Sequence, residues 1–154
     1  MLKNMKIIGA FLISLIPIII GIKKYMVLVN KTTVTKEIFE IFSRLLDKIK
    51  YSQKELYYIL QKENNDYFVF SNPVILNSDF LLQNGLKMQE ILIFKEFLKA
   101  VQSGDRAYVN SQGEAALKEI EGLKNTFEKE LKETGKLYIT VFLGVSAIIF
   151  LALI

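Results

Sequence analysis

Two uncharged apolar ends constrain this chain more than any other feature. Residues 7–22 (IIGAFLISLIPIIIGI) and 137–154 (LYITVFLGVSAIIFLALI) carry no ionisable acid or base of the Lys, Arg, Asp or Glu type. About 20 consecutive apolar residues cross a bilayer as a helix, and each end approaches that length. The pattern predicts a hairpin-like membrane protein. Residues 1–30 form an N-terminal transmembrane anchor and its flank, 31–136 a helical domain, and 137–154 a C-terminal transmembrane helix.

The charge supports the same division. Residues 1–30 hold Lys3, Lys6, Lys23 and Lys24 and no acid, whereas 137–154 hold no charge. The 16 other basic residues and all 16 acids therefore lie in 31–136, which is balanced. The net charge of +4 and the pI near 9.1 are membrane-flank signals. They are not evidence for nucleic acid, which would need a basic patch on the folded domain, and no nucleic-acid partner is expected.

The first apolar run follows lysines, as a secretory signal does. Gly21-Ile22-Lys23-Lys24 makes a poor cleavage site, so a retained anchor is expected. Lys23, Lys24, Lys31 and Lys36 flank the first run on its domain side. Lys124, Lys129, Lys132 and Lys136 do so for the second. Only Lys3 and Lys6 lie on the other side. This bias predicts a cytoplasmic middle domain with both termini across the membrane. Tyr25 and Tyr138 stand where interfacial aromatics belong.

Small or kinking residues recur at helical spacing in both runs. Ala10, Ser14, Pro17 and Gly21 mark the first, and Thr140, Gly144 and Ala147 the second. Such rows allow close approach of spans to each other or to partner spans. Membrane helices are also simply rich in small residues. Pro17 is expected to kink the first span.

The middle reads as helices. Ile38, Ile41, Phe42, Leu45, Leu46 and Ile49 share a face within 34–50. Ser52-Gln53-Lys54-Glu55 is a capping box that starts a second helix. Residues 67–70 (YFVF) are the one strand-like run. Asn72-Pro73 suggests a cap with proline at the first helical position, and a short helix to Gln83 ends at Asn84-Gly85. Ile91, Leu92, Phe94, Leu98 and Val101 stripe the next helix, which Ser103-Gly104-Asp105 breaks. A long stripe follows: Tyr108, Gln112, Ala116, Ile120, Leu123, Phe127 and Leu131. Gly135 marks either a break or a point through which the helix runs on into the membrane. The expected fold class is all-α, with negligible strand. The architecture is a small antiparallel helical bundle between an N-terminal and a C-terminal transmembrane helix.

No reaction centre is legible. Cys and His are absent, which removes thiolate chemistry, the commonest general base and the commonest metal ligand. Gly135-Lys136 lacks the upstream Gly and the following Ser or Thr of a phosphate loop. Glu119/Glu121 and Glu128/Glu130 are spaced by two and point to different helix faces. No enzyme, cofactor or metal is expected.

Several segments resemble the stage III sporulation protein AB family. They are Met1-Leu2-Lys3 with Gly9-Ala10, Ile49-Lys50-Tyr51-Ser52, and Lys136-Leu137-Tyr138 with the apolar run after it. The fullest match runs from Phe94-Lys95-Glu96-Phe97 through Ser103-Gly104-Asp105-Arg106 to Ala115-Ala116-Leu117. It is similar to that family's helix-turn-helix, with Asp opening the long C-terminal helix. The segment 67–86 is shorter than in the family, and Val109 stands where Gln is common.

The resemblance implies a non-enzymatic platform component of the mother-cell to forespore channel complex of endospore formers. Its cytoplasmic part would be similar to the platform proteins of type II secretion and type IV pili. The implied site is the mother-cell membrane around the forespore. Implied partners are the sporulation ATPase, stage III protein AA, and other channel membrane proteins, with self-association left open. Asp105, Arg106 and Tyr51 are the candidate partner contacts, although Asp105 also reads as a plain helix cap. A small pore-forming or holin-like membrane protein is the alternative from another class.

Overall fold

The computed structural model describes residues 2–49, 58, 60–61, 66–71, 73–103 and 105–153. The fold class is all-α. Helix α1 spans Leu2–Ile49, and Tyr58, Leu60 and Gln61 are helical. Two short strands follow, β1 at Phe68–Val69 and β2 at Ile75–Leu76. Helix α2 is Ser78–Gln83, α3 is Met88–Gln102, and a single turn α4 is Arg106–Tyr108. A π-helical turn, Val109–Gly113, leads into α5, Glu114–Leu153. The chain divides into two compact units, 30–127 and the paired ends 1–29 with 128–154.

The unit 30–127 is built on an aromatic centre. Ile38, Phe42 and Leu45 of α1 recur at three and four residues and are fully buried with Ile91, Phe94 and Phe97 of α3. Phe42 stacks on Phe97 at 4.2 Å between ring centroids, meets Phe94 edge-on at 6.5 Å, and touches Phe68 at 6.1 Å. Offset and edge-on contacts of this kind add to the gain from area buried. Leu81 of α2 and Ile120 of α5 complete the cluster.

The segment after Pro73 departs from expectation. Helix does not begin there. Val74, Ile75 and Leu76 are 6%, 51% and 4% exposed, the alternation of a half-buried strand. β2 pairs antiparallel with β1, Val69 opposite Ile75. Three consecutive apolar residues bury best on one face when extended, and Asn77 supplies the cap instead. The Phe80 N–H donates to Asn77 Oδ1 at 3.2 Å, so α2 starts at Ser78. Among the described residues strand is limited to this one two-residue pair, in keeping with the expectation of negligible strand. Gly85, at φ 91°, reverses the chain after α2 in a conformation that suits glycine.

Three helices of this unit meet at one ion. Lys31 Nζ of α1 lies 3.3 Å from Glu90 Oε1 of α3 and 3.7 Å from the ring centre of Phe127 of α5. Both charged side chains are only 13% exposed. The other Glu90 oxygen accepts the Lys87 N–H at 2.7 Å and closes the start of α3. Lys31→Met keeps the stem on Phe127 but strands the carboxylate. It should lower stability by about 2–3 kcal/mol, less than for a fully buried pair because some water reaches this one. Urea unfolding in dodecyl maltoside, followed by far-UV circular dichroism, reads the loss. Lys31→Met and Glu90→Gln together should lose less than the two single changes summed.

Tyr67 donates its hydroxyl to Glu37 Oε2. Burial first, and then the Glu37 bond and charge, push its ionisation well above the ordinary 10.0.

The last helix is continuous where a break was one of two expectations. α5 stays helical through Gly135. The departure lies earlier, at the π turn. Val109 and Gly113 are buried there, whereas Tyr108 and Gln112 of the expected stripe are exposed.

Candidate functional site

Two helices, α1 and α5, are long and apolar enough to cross a membrane. In the unit of paired ends their segments run antiparallel. Ser146 donates its hydroxyl to the Ser14 carbonyl, while Ser14 donates to the Phe11 carbonyl at 2.8 Å. Near the other end Gly135 lies against Tyr25: a Cβ on Gly135 would stand 3.1 Å from that ring. Between them Gly21 receives Phe142 so closely that a Cβ would meet the Phe142 side chain at 2.8–2.9 Å. Lys24 Nζ sits 5.8 Å from the Tyr138 ring centre and 5.6 Å from that of Phe142.

The small residues singled out in the sequence divide between faces. Ala10, Ser14 and Gly21 are buried in this unit, and Pro17 lies partly exposed within an unbroken helix. Thr140, Gly144 and Ala147 are exposed. Thr140 donates to its own helix at the Lys136 carbonyl, and a Cβ on Gly144 would have nothing within 4 Å. The α5 face that meets α1 is instead Gly135, Phe142 and Ser146. Its signal was present as spacings of seven and four, but a large aromatic in the middle hid it from a search for small residues.

Outside this face the ends are apolar. Ile8, Leu12, Ile16 and Ile19 of α1 are exposed, as are Ile148 and Leu151 of α5, which reach 67% and 75%.

The turn before α5 is the other candidate. Asp105 Oδ1 accepts the Ala107 N–H at 2.9 Å and, more weakly, the Tyr108 N–H at 3.4 Å. Asp105 is thus an N-cap, and it is exposed. Arg106 opens the helical turn, but its side chain, like Tyr51, Gly104 and the Ser52–Glu55 capping box, lies outside the described residues.

Beside this turn runs a groove of about 910 Å³ between β2 and α3. Val74, Leu76 and Leu98 form its apolar floor, and Gln102 Nε2 ties the two walls by donating to the Val74 carbonyl at 2.7 Å. Among the described residues no cluster of acids could hold a metal ion. No protein-family model, curated protein or solved structure matches the chain.

Proposed function

We propose that this chain is a non-enzymatic membrane scaffold: a helical bundle held at a membrane by two transmembrane helices, one at each end. The observation that carries the reading is the apolar outer surface of the paired ends. Each large aliphatic side chain left in water forgoes roughly 1.5–3 kcal/mol of burial. Lipid is the environment that suits such a row of Ile and Leu on both helices. A charge-balanced domain with a buried aromatic core fits the docking role.

The more specific form of the proposal is a platform component of the mother-cell to forespore channel. It would sit in the mother-cell membrane with the middle domain in the cytoplasm, docking the sporulation ATPase, stage III protein AA. This form rests on the resemblance around Phe94–Phe97, Ser103–Arg106 and Ala115–Leu117, and the orientation rests on the lysines flanking both ends. In sporulating cells, crosslinking and purification of the tagged chain should recover that ATPase and channel membrane subunits. Recovery of neither sinks the sporulation assignment. A reporter inserted at Asn84-Gly85 should behave as cytoplasmic, and an external readout reverses the orientation.

A further inference from the structure

We propose that the groove between β2 and α3 is the docking site for an acidic amphipathic helix of a partner protein. The proposal deepens the scaffold reading by naming a surface and the chemistry of what it receives. The groove has the two parts such a ligand needs. Its floor is Val74, Leu76 and Leu98, and Ile75 and Tyr108 stand exposed as apolar walls. Along its α3 rim lie Lys95 and Lys99, both exposed. Neither has an ion pair among the described residues.

The spacing of the lysines selects the partner. Residues four apart share one helix face, about 6 Å along the axis. Two carboxylates one turn apart on an incoming helix match that step while its apolar face enters the groove. Lys99 also lines the neighbouring polar hollow, of about 300 Å³, together with Glu96 and Glu119. These acids repel an acidic helix that strays past Lys99 and keep it over the apolar floor. At the far end Asp105 lines the groove.

The test uses the full chain in nanodiscs. The probe is a fluorescein-labelled amphipathic peptide with Leu on one face and two Glu one turn apart beside it. A second peptide carries Lys in place of those Glu, and empty nanodiscs correct for lipid binding. The Glu peptide should bind, more weakly as salt rises, and the Lys peptide should not. Lys95→Glu with Lys99→Glu should weaken the Glu peptide about tenfold or more and favour the Lys peptide. Lys118→Glu with Lys132→Glu, at exposed positions outside the groove, should leave binding unchanged. Equal binding of both peptides, or an equal loss in the two double variants, overturns the proposal. So does lysine-dependent binding of oleate without binding of the Glu peptide. Such a failure leaves the scaffold reading intact, because that stands or falls on recovery of partners from cells.

Discussion

Phe42→Ala should remove about 3–5 kcal/mol of stability, the range for deleting a buried phenylalanine side chain. Few single changes in this chain should do more. Phe42 is fully buried and meets three other aromatic rings, from α3 and β1. Those contacts come from elements far apart in sequence, so no local rearrangement refills the space. A small domain has about 5–15 kcal/mol in hand, so the variant should sit near its unfolding midpoint at ordinary temperature. Thermal melts by far-UV circular dichroism in dodecyl maltoside read this directly. Leu92→Ala, on the same helix but exposed, should shift the melt little. Equal effects from the two would refute the aromatic centre as the core of the unit.

The second large effect is expected at Gly21. Gly21→Val puts methyl groups where the Phe142 side chain already lies 2.8–2.9 Å from a bare Cβ. The clash involves Phe142 Cβ as well as Cγ and the ring edge; rotation about Cα–Cβ can move the ring, but Cβ cannot move away without moving the helix. Overpacking of this kind costs about 1–3 kcal/mol, and here it should force the paired ends apart. The chain has no cysteine, which makes the test clean. Ser14→Cys with Ser146→Cys should be joined efficiently as a disulfide by membrane-permeant iodine in the parent and poorly with Gly21→Val. Gly144→Val, where a Cβ meets nothing within 4 Å, should leave the yield unchanged. A yield untouched by Gly21→Val would refute the close approach.

The ends and the α1 stripe were legible because each depends on a periodic or continuous apolar signal. Ile38, Ile41, Phe42, Leu45 and Leu46 are all buried as their spacing required, and the Ile49 side chain lies outside the described residues. Elsewhere local signals competed. On α3, Leu92 was placed in the stripe and is exposed, while Phe97, fully buried, was passed over. Several apolar residues close together leave the centre of the face ambiguous, and tertiary packing chose Phe97. At Asn72-Pro73 the proline read as a helix start, but the chance to bury Val74 and Leu76 on one side prevailed. The groove was not legible at all. It joins a strand edge to a helix face twenty residues later, and no local pattern reports that distance. The Asp105 cap was legible because capping is local chemistry: a short acidic side chain just before helix.

The π turn at Val109–Gly113 carries a consequence for changes in chain length. A π turn holds one more residue than an α turn over the same span. Deleting one residue there can relax the backbone to α-helix while Ala116, Ile120 and Phe127 keep their places in the core. The extra residue is absorbed within the turn, so Tyr108 before it, which forms a wall of the groove, keeps its place as well. A single-residue deletion among 110–112, which spares the buried Val109 and Gly113, should therefore leave both the core and the groove standing, as a far-UV melt close to that of the parent would show.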